Sequence, residues 1–149
     1  RTETGYFTFI GTNGFYRRDG EKAAFDQQPI EAQTMLSACL YAHRITGDKQ
    51  WYRDARSAFE WFVGSNHVGQ AIYDPSTGGC HDGLHPNSLN QNQGAESTLA
   101  FLLSRVEIQL HDYSIDLIEP IENLTAPAKK MASLVTRPGY LIQDLSSTT

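Results

Sequence analysis

QQPIEAQTMLSACLYAHRITGDKQWYRDARSAFEWFVG, residues 27–64, is the stretch on which the fold turns. Its first half opens with Pro29, which suits a first helical position because the N–H it lacks would go unused there. Glu31 follows in the first turn, where the helix dipole favours a negative charge. Ile30, Ala32, Met35, Leu36, Ala38, Cys39, Leu40, Ala42 and Ile45 then cover nearly the whole circumference, which predicts a helix buried on more than one side. Gly47 stops it. Asp48 is placed to cap a second helix. In that helix Trp51, Ala55, Ala58, Phe59 and Phe62 form one apolar stripe, with Lys49, Arg53, Asp54, Arg56 and Glu60 off it. A link as short as TGD makes the two helices antiparallel neighbours.

Working outward, a third helix is expected from about Gly94 through AESTLAFLLSRVEIQL, with Leu99, Leu102, Leu103, Val106 and Leu110 as its buried stripe. Between helices two and three lie about thirty residues rich in Gly, Asn, Asp and Pro, and unstructured loops of that length usually carry function. Upstream, GYFTFIGTNGFYRRDG suggests a short hairpin around TNGF. Downstream, IDLIEPIENL is expected to be helical up to Pro120, and RPGYLIQD reads as a turn and a short extended piece. The expectation is one helical domain over 1–149, with its core in 26–111 and a C-terminal extension from 112, belonging to a longer parent chain.

Bulk properties exclude several classes. The 149 residues suffice for one domain with a real core. With 40% hydrophobic and 19% charged residues, the chain reads as folded rather than disordered. Net charge is −5 and the 12 Lys and Arg are scattered, so no basic stripe recommends a nucleic-acid partner. No apolar run approaches the ~20 residues of a membrane span. Cys39 and Cys80 give no disulfide framework, and a reduced, cytoplasmic setting is the simpler expectation. The NLT triplet at Asn123 carries no weight. There is no G-x-S-x-G elbow for a serine nucleophile and no P-loop for nucleotide phosphates.

The residue run HRITGDKQWYRDARSAFEWF resembles the hairpins of the α/α-toroid, or six-hairpin, carbohydrate-active enzymes. The longer stretch from roughly Phe15 to Ile108, including YDPSTGGCHDGLHPNSLNQNQGAEST, is similar to the C-terminal helical region of bacterial glycosyltransferase-type and sugar-processing proteins. The resemblance implies an all-α fold of antiparallel helical hairpins, either the closing third of a barrel or a smaller helical piece. Long polar loops would line a sugar cavity at one end. It further implies a carbohydrate ligand, and as partner the rest of the parent chain or a catalytic domain. Two functional readings follow. One is a carbohydrate-processing or glycan-binding domain. The other is a non-catalytic helical module packed against a separate glycosyltransferase or other catalytic domain.

Glycoside cleavage uses two carboxyl groups about 5–10 Å apart. Asp82 and Glu96 of the long loop, with Asp26 before the first helix, are the catalytic candidates. Asp82 is the expected general acid, since it lies in a Gly-flanked loop. Glu96 and Asp26 lie at helix starts, where the dipole keeps a carboxylate ionised. Gln28, Glu31, His85, Asn90, Asn92 and Gln93 are the polar candidates for binding sugar hydroxyls, and Tyr16 the flat face. The alternative for each is ordinary: Glu31 and Glu96 as first-turn acids, Asp82-Gly83 as a turn, the Asn and Gln side chains tying down their own loop. Cys80, His81 and His85 spell C-H-x3-H and are similar to the CHG segment of lanthionine-cyclase-like zinc proteins. Zinc needs further ligands at metal spacing, and no second Cys/His pair exists. Neither a metal nor a cofactor is therefore expected.

Overall fold

The computed structural model describes residues 5–122, with side chains through Ser114. The expectations for RPGYLIQD and for Asn123 lie outside the described residues. The chain divides into two compact units, 1–109 and 110–149. The first holds helix α1 (Pro29–Thr46), helix α2 (Lys49–Phe62), strands β1 (Tyr73–Asp74) and β2 (Gly79–Cys80), and helix α3 from Ala95. α3 continues without a break to Glu122, so its last turns form the described part of the second unit. Among the described residues no helix is long and apolar enough to cross a membrane.

The α1–α2 hairpin forms where its local signals place it. Gln28 is the N-cap of α1 in extended conformation, with Pro29 at the first helical position and Glu31 reaching back to the Gln28 N–H at 2.9 Å. Gly47 takes φ 71°, and its N–H donates to the His43 carbonyl at 2.8 Å, so the left-handed residue closes the helix without a Cβ clash. Asp48 then accepts from the Gln50 N–H at 2.8 Å and starts α2.

The core beneath the hairpin is built from Leu36, Cys39 and Leu40 of α1, and Ala55, Ala58, Trp61 and Phe62 of α2. Ile72, Cys80 and Leu84 of the long connection join them, with Phe9 and Phe101. Trp61, Phe62, Leu36, Ile72 and Leu84 are fully buried, each worth roughly 1.5–3 kcal/mol of transfer free energy. Phe101 of α3 stacks on Tyr73, ring centroids 4.1 Å apart and planes 16° apart, and packs on Phe62 at 5.6 Å. Ser37 of α1 donates to Glu107 of α3 at 2.5 Å.

The expected all-α fold of toroid-type hairpins is overturned. The described residues hold three helices and a two-stranded antiparallel sheet, with Tyr73 opposite Cys80 and Asp74 opposite Gly79. They form one helical hairpin and a third, separate helix rather than two hairpins. The physical reason lies in the connection. The Asp74 side chain accepts from the Ser76 N–H (2.8 Å) and hydroxyl (2.6 Å), and the Gly78 N–H donates to the Asp74 carbonyl (2.9 Å), so DPSTGG closes a hairpin. Further bridges pair Gln27 with Leu84 and Leu84 with Leu89. The connection is tied to itself, to Phe62 and to Gln27 by backbone bonds, and it sends Ile72, Cys80 and Leu84 into the core.

Two helix faces also differ from expectation. A toroid's inner helix is covered on both sides, but α1 buries Pro29, Ala32, Leu36, Cys39 and Leu40 and leaves Met35, Tyr41 and Ile45 in solvent, the last 84% exposed. On α3 the expected stripe of Leu99, Leu102, Leu103, Val106 and Leu110 is exposed, and the buried residues among those described are Ser97, Ala100, Phe101, Ser104, Ile108 and His111. One aromatic stack plus small residues that allow close approach outweighs the longer row of leucines. Near the N-terminus, Tyr16 bridges Lys22 around a reversal at 17–20, while TNGF forms a separate turn in which the Phe15 N–H donates to the Gly11 carbonyl.

Candidate functional site

The Gln27–Leu84 bridge is the element that assembles the site. The Gln27 N–H donates to the Leu84 carbonyl at 3.2 Å, and the Leu84 N–H returns to the Gln27 carbonyl at 2.8 Å. In an antiparallel pair with that register, residue 26 faces residue 85. Asp26 Oδ1 and His85 Nδ1 accordingly meet at 2.5 Å, with both side chains 37% exposed. A carboxylate only accepts, so this bond places a proton on His85 Nδ1 and leaves Nε2 as the outer ring nitrogen. Among the described residues Nε2 has no hydrogen-bond partner.

Both members are held from behind. The Asp26 carbonyl accepts from the Thr12 N–H (2.9 Å) and hydroxyl (3.4 Å). The peptide bond before Asp26 is cis. The His85 N–H donates to Ser88 at 2.9 Å, and the His85 carbonyl accepts from His67 Nε2 at 3.0 Å. The arrangement presents an imidazole nitrogen, oriented by a carboxylate, to anything that reaches the surface. Chemically it can take a proton, return one, or hydrogen-bond a hydroxyl.

Asp82 stands differently from its expected place. Its Oδ1 accepts from the Gly94 N–H at 2.7 Å, just ahead of α3, and Oδ2 accepts from the Asn92 amide. Desolvation by itself pushes the Asp82 carboxyl up. Hydrogen bonds from Ser97, Gly94 and Asn92 and the charge of His81 together outweigh it, so the group lies below the ordinary carboxylate range. The expectation of a loop carboxyl free to rise in pKa is corrected: Asp82 is a clamp that joins its loop to the start of α3. Glu96 sits exposed in the first turn of α3. No hydrogen bond or ion pair among the described residues joins Asp82, Glu96 and Asp26 to one another.

The other candidates sort by what holds them. Gln28 and Glu31 form the capping box of α1, and burial pushes the Glu31 carboxyl up against the lowering effects of the Gln28 N–H and Lys22. Asn90 accepts from the Asn92 N–H (3.0 Å) through its side chain and from His81 Nδ1 (2.8 Å) through its carbonyl. Gln93 wedges onto the hairpin, accepting from the Thr77 hydroxyl at 2.7 Å and donating to Asp74 at 3.4 Å. Tyr16 is exposed at its N-terminal reversal. Of the expected set, then, the structure pairs Asp26 with His85, joins Asp82 with Asn92, and commits Gln28, Glu31, Asn90 and Gln93 to local support.

Cys80 is buried, and desolvation followed by the Asp82 charge pushes its thiol up to about 12. Among the described residues no three His, Cys, Asp or Glu side chains are grouped as a metal ion requires. Gln27 and His67 are structural players that sequence reasoning did not single out as such. Gln27 is 1% exposed, and its Oε1 accepts from both the Phe9 N–H and Trp61 Nε1 at 3.2 Å. No local signal separates it from its neighbour Gln28. Compared with known proteins, the chain matches no protein-family model and no curated protein.

Proposed function

We propose that this chain handles carbohydrate and that the Asp26–His85 pair is the group that meets a sugar hydroxyl. The observation that carries the reading is the 2.5 Å carboxylate–imidazole contact at a half-exposed site, with Nε2 left without a partner among the described residues. The ligand class rests on the resemblance read from the sequence of the 15–108 stretch, which no family model and no curated protein matches. Asp82, Asn90, Asn92 and Gln93 then serve by shaping the loop that carries His85. In a processing enzyme His85 would be the proton carrier and Asp26 its orienting partner. The buried position of Cys39 and Cys80 fits a reducing, cytoplasmic setting. No cofactor is part of this reading.

The test is an NMR titration of the His85 ring with a panel of mono- and oligosaccharides, repeated on His85→Ala and Asp26→Asn. Saturable shifts at the His85 ring that weaken in Asp26→Asn, with the accompanying backbone shifts lost in His85→Ala, support the proposal. A panel that leaves the His85 ring unmoved sinks it.

A second reading, the non-catalytic module packed against a catalytic domain, is favoured by a separate observation. Met35, Tyr41 and Ile45 on α1, and Leu99, Leu102, Leu103 and Val106 on α3, are apolar and exposed. Apolar patches of this kind mark contact surfaces.

A further inference from the structure

A cavity of 260 Å³ opens beside the N-terminal segment, lined chiefly by Tyr6, Thr8, Phe9, Lys22, Phe25 and His67. It does not include Asp26 or His85, so it is a different place from the site above. Its walls are aromatic and fixed. Phe9 is buried, with its ring edge-on to Trp61 at 5.3 Å. The Phe25 and His67 rings lie 4.5 Å apart, tilted by 57°. His67 is held by the bond from its Nε2 to the His85 carbonyl.

Among the described lining residues Gln27, Thr8 and Tyr6 are polar, and Lys22 brings the ammonium charge. Its ammonium donates to the Thr8 carbonyl at 2.9 Å. An ammonium has three donors, so this bond anchors the side chain without exhausting it. Among the described residues no carboxylate lines the cavity. Glu31, whose carboxyl feels the Lys22 charge, is outside the lining and accepts from the Gln28 N–H. The volume falls just below the roughly 300–1,000 Å³ of ordinary ligand pockets, which limits the occupant to one small ring. Aromatic faces want a flat or C–H-rich body, and a cation wants an anion.

We propose that this cavity binds a small ring-bearing monoanion, its carboxylate on the Lys22 ammonium and its ring against Phe25 and His67. The inference is independent of the carbohydrate reading, because the ring need not be a sugar.

The experiment is a ¹H–¹⁵N titration of the full chain with benzoate and with glucuronate, using glucose as the neutral control. Saturable shifts at residues 8–9, 22–25 and 67 with at least one of the anions, and none with glucose, support the site. Lys22→Met should weaken that binding by about tenfold or more, and Lys22→Arg should restore it. Phe25→Leu, which keeps the cation and removes the aromatic face, should also weaken it. Binding of benzoate alone leaves the site standing and denies it to sugars. The proposal is overturned if neither anion shifts these residues, if glucose binds as well as glucuronate, or if both Lys22→Met and Phe25→Leu bind like the unaltered chain.

Discussion

Replacing Gln27 with Leu tests whether this side chain is the hydrogen-bonded centre of the fold. The amide is 1% exposed and serves three groups: it accepts from the Phe9 N–H and from Trp61 Nε1, each at 3.2 Å, and donates to the Ala24 carbonyl at 2.9 Å. Leucine keeps the bulk and removes every bond. Ala24 is exposed, so water can take over at its carbonyl. Phe9 and Trp61 are buried, and their donors are orphaned. Each orphaned buried donor costs about 1–3 kcal/mol, so two cost about 2–6. The apolar surface that leucine buries offsets part of this, which leaves an expected loss of about 2–4 kcal/mol, a large share of the ~5–15 of a typical domain.

The assay is urea unfolding followed by tryptophan fluorescence and circular dichroism, with the slope checked for constancy. Trp61→Phe supplies the second edge of a double-mutant cycle. It removes one of the two orphaned donors, so it should cost at least about 1 kcal/mol less in the Gln27→Leu background than in the unaltered chain. A Gln27→Leu loss under about 1 kcal/mol, or a coupling of zero, would refute the reasoning.

Asp82→Asn should cost about 1 kcal/mol near neutral pH, the usual worth of a lost cap. The Asp82 carboxyl lies lower folded than unfolded, so its contribution is present above the unfolded value and is lost as pH falls through the folded one. Acid unfolding below about pH 4 should therefore be shallower in Asp82→Asn, and identical acid limbs would count against the clamp. Gly11→Ala should cost at least about 1–3 kcal/mol, since a Cβ there would sit 2.0 Å from the backbone oxygen of Phe25. An unchanged urea midpoint contradicts that packing. Cys39 and Cys80 are buried, with the Cys80 thiol pushed up to about 12, so neither should react with a thiol reagent at pH 8 until denaturant is added. Rapid labelling of the native chain would show the core is open. Leu102→Lys with Val106→Lys should leave stability within about 0.5 kcal/mol, as exposed positions do. A larger loss would mean that the chain covers this face itself.

Sequence alone determined the α1–α2 hairpin, because its signals are local. Pro29 fixes its own φ, Gly47 can take the left-handed conformation, and Asp48 reaches a backbone N–H two residues on, all without help from the rest of the chain. The first-turn place of Glu31 was legible for the same reason. Which face of each helix is buried was not. α1 is apolar nearly all round, so its periodicity points nowhere, and only the packing of Leu36, Cys39 and Leu40 against α2 selects the inner side. On α3 the stripe of leucines is regular, yet Phe101 finds Tyr73 and Phe62 and turns the helix the other way.

The candidate site divides along the same line. Asp26 and His85 were each visible as polar residues of suitable chemistry, but they are 59 positions apart, and only the Gln27–Leu84 bridge sets them face to face. Adjacent Gln27 and Gln28 look alike as letters. One lies in the core between Phe9 and Trp61, and the other stays at the surface as a helix cap, because burying an amide is tolerable only where its donors and acceptors meet partners from distant parts of the chain.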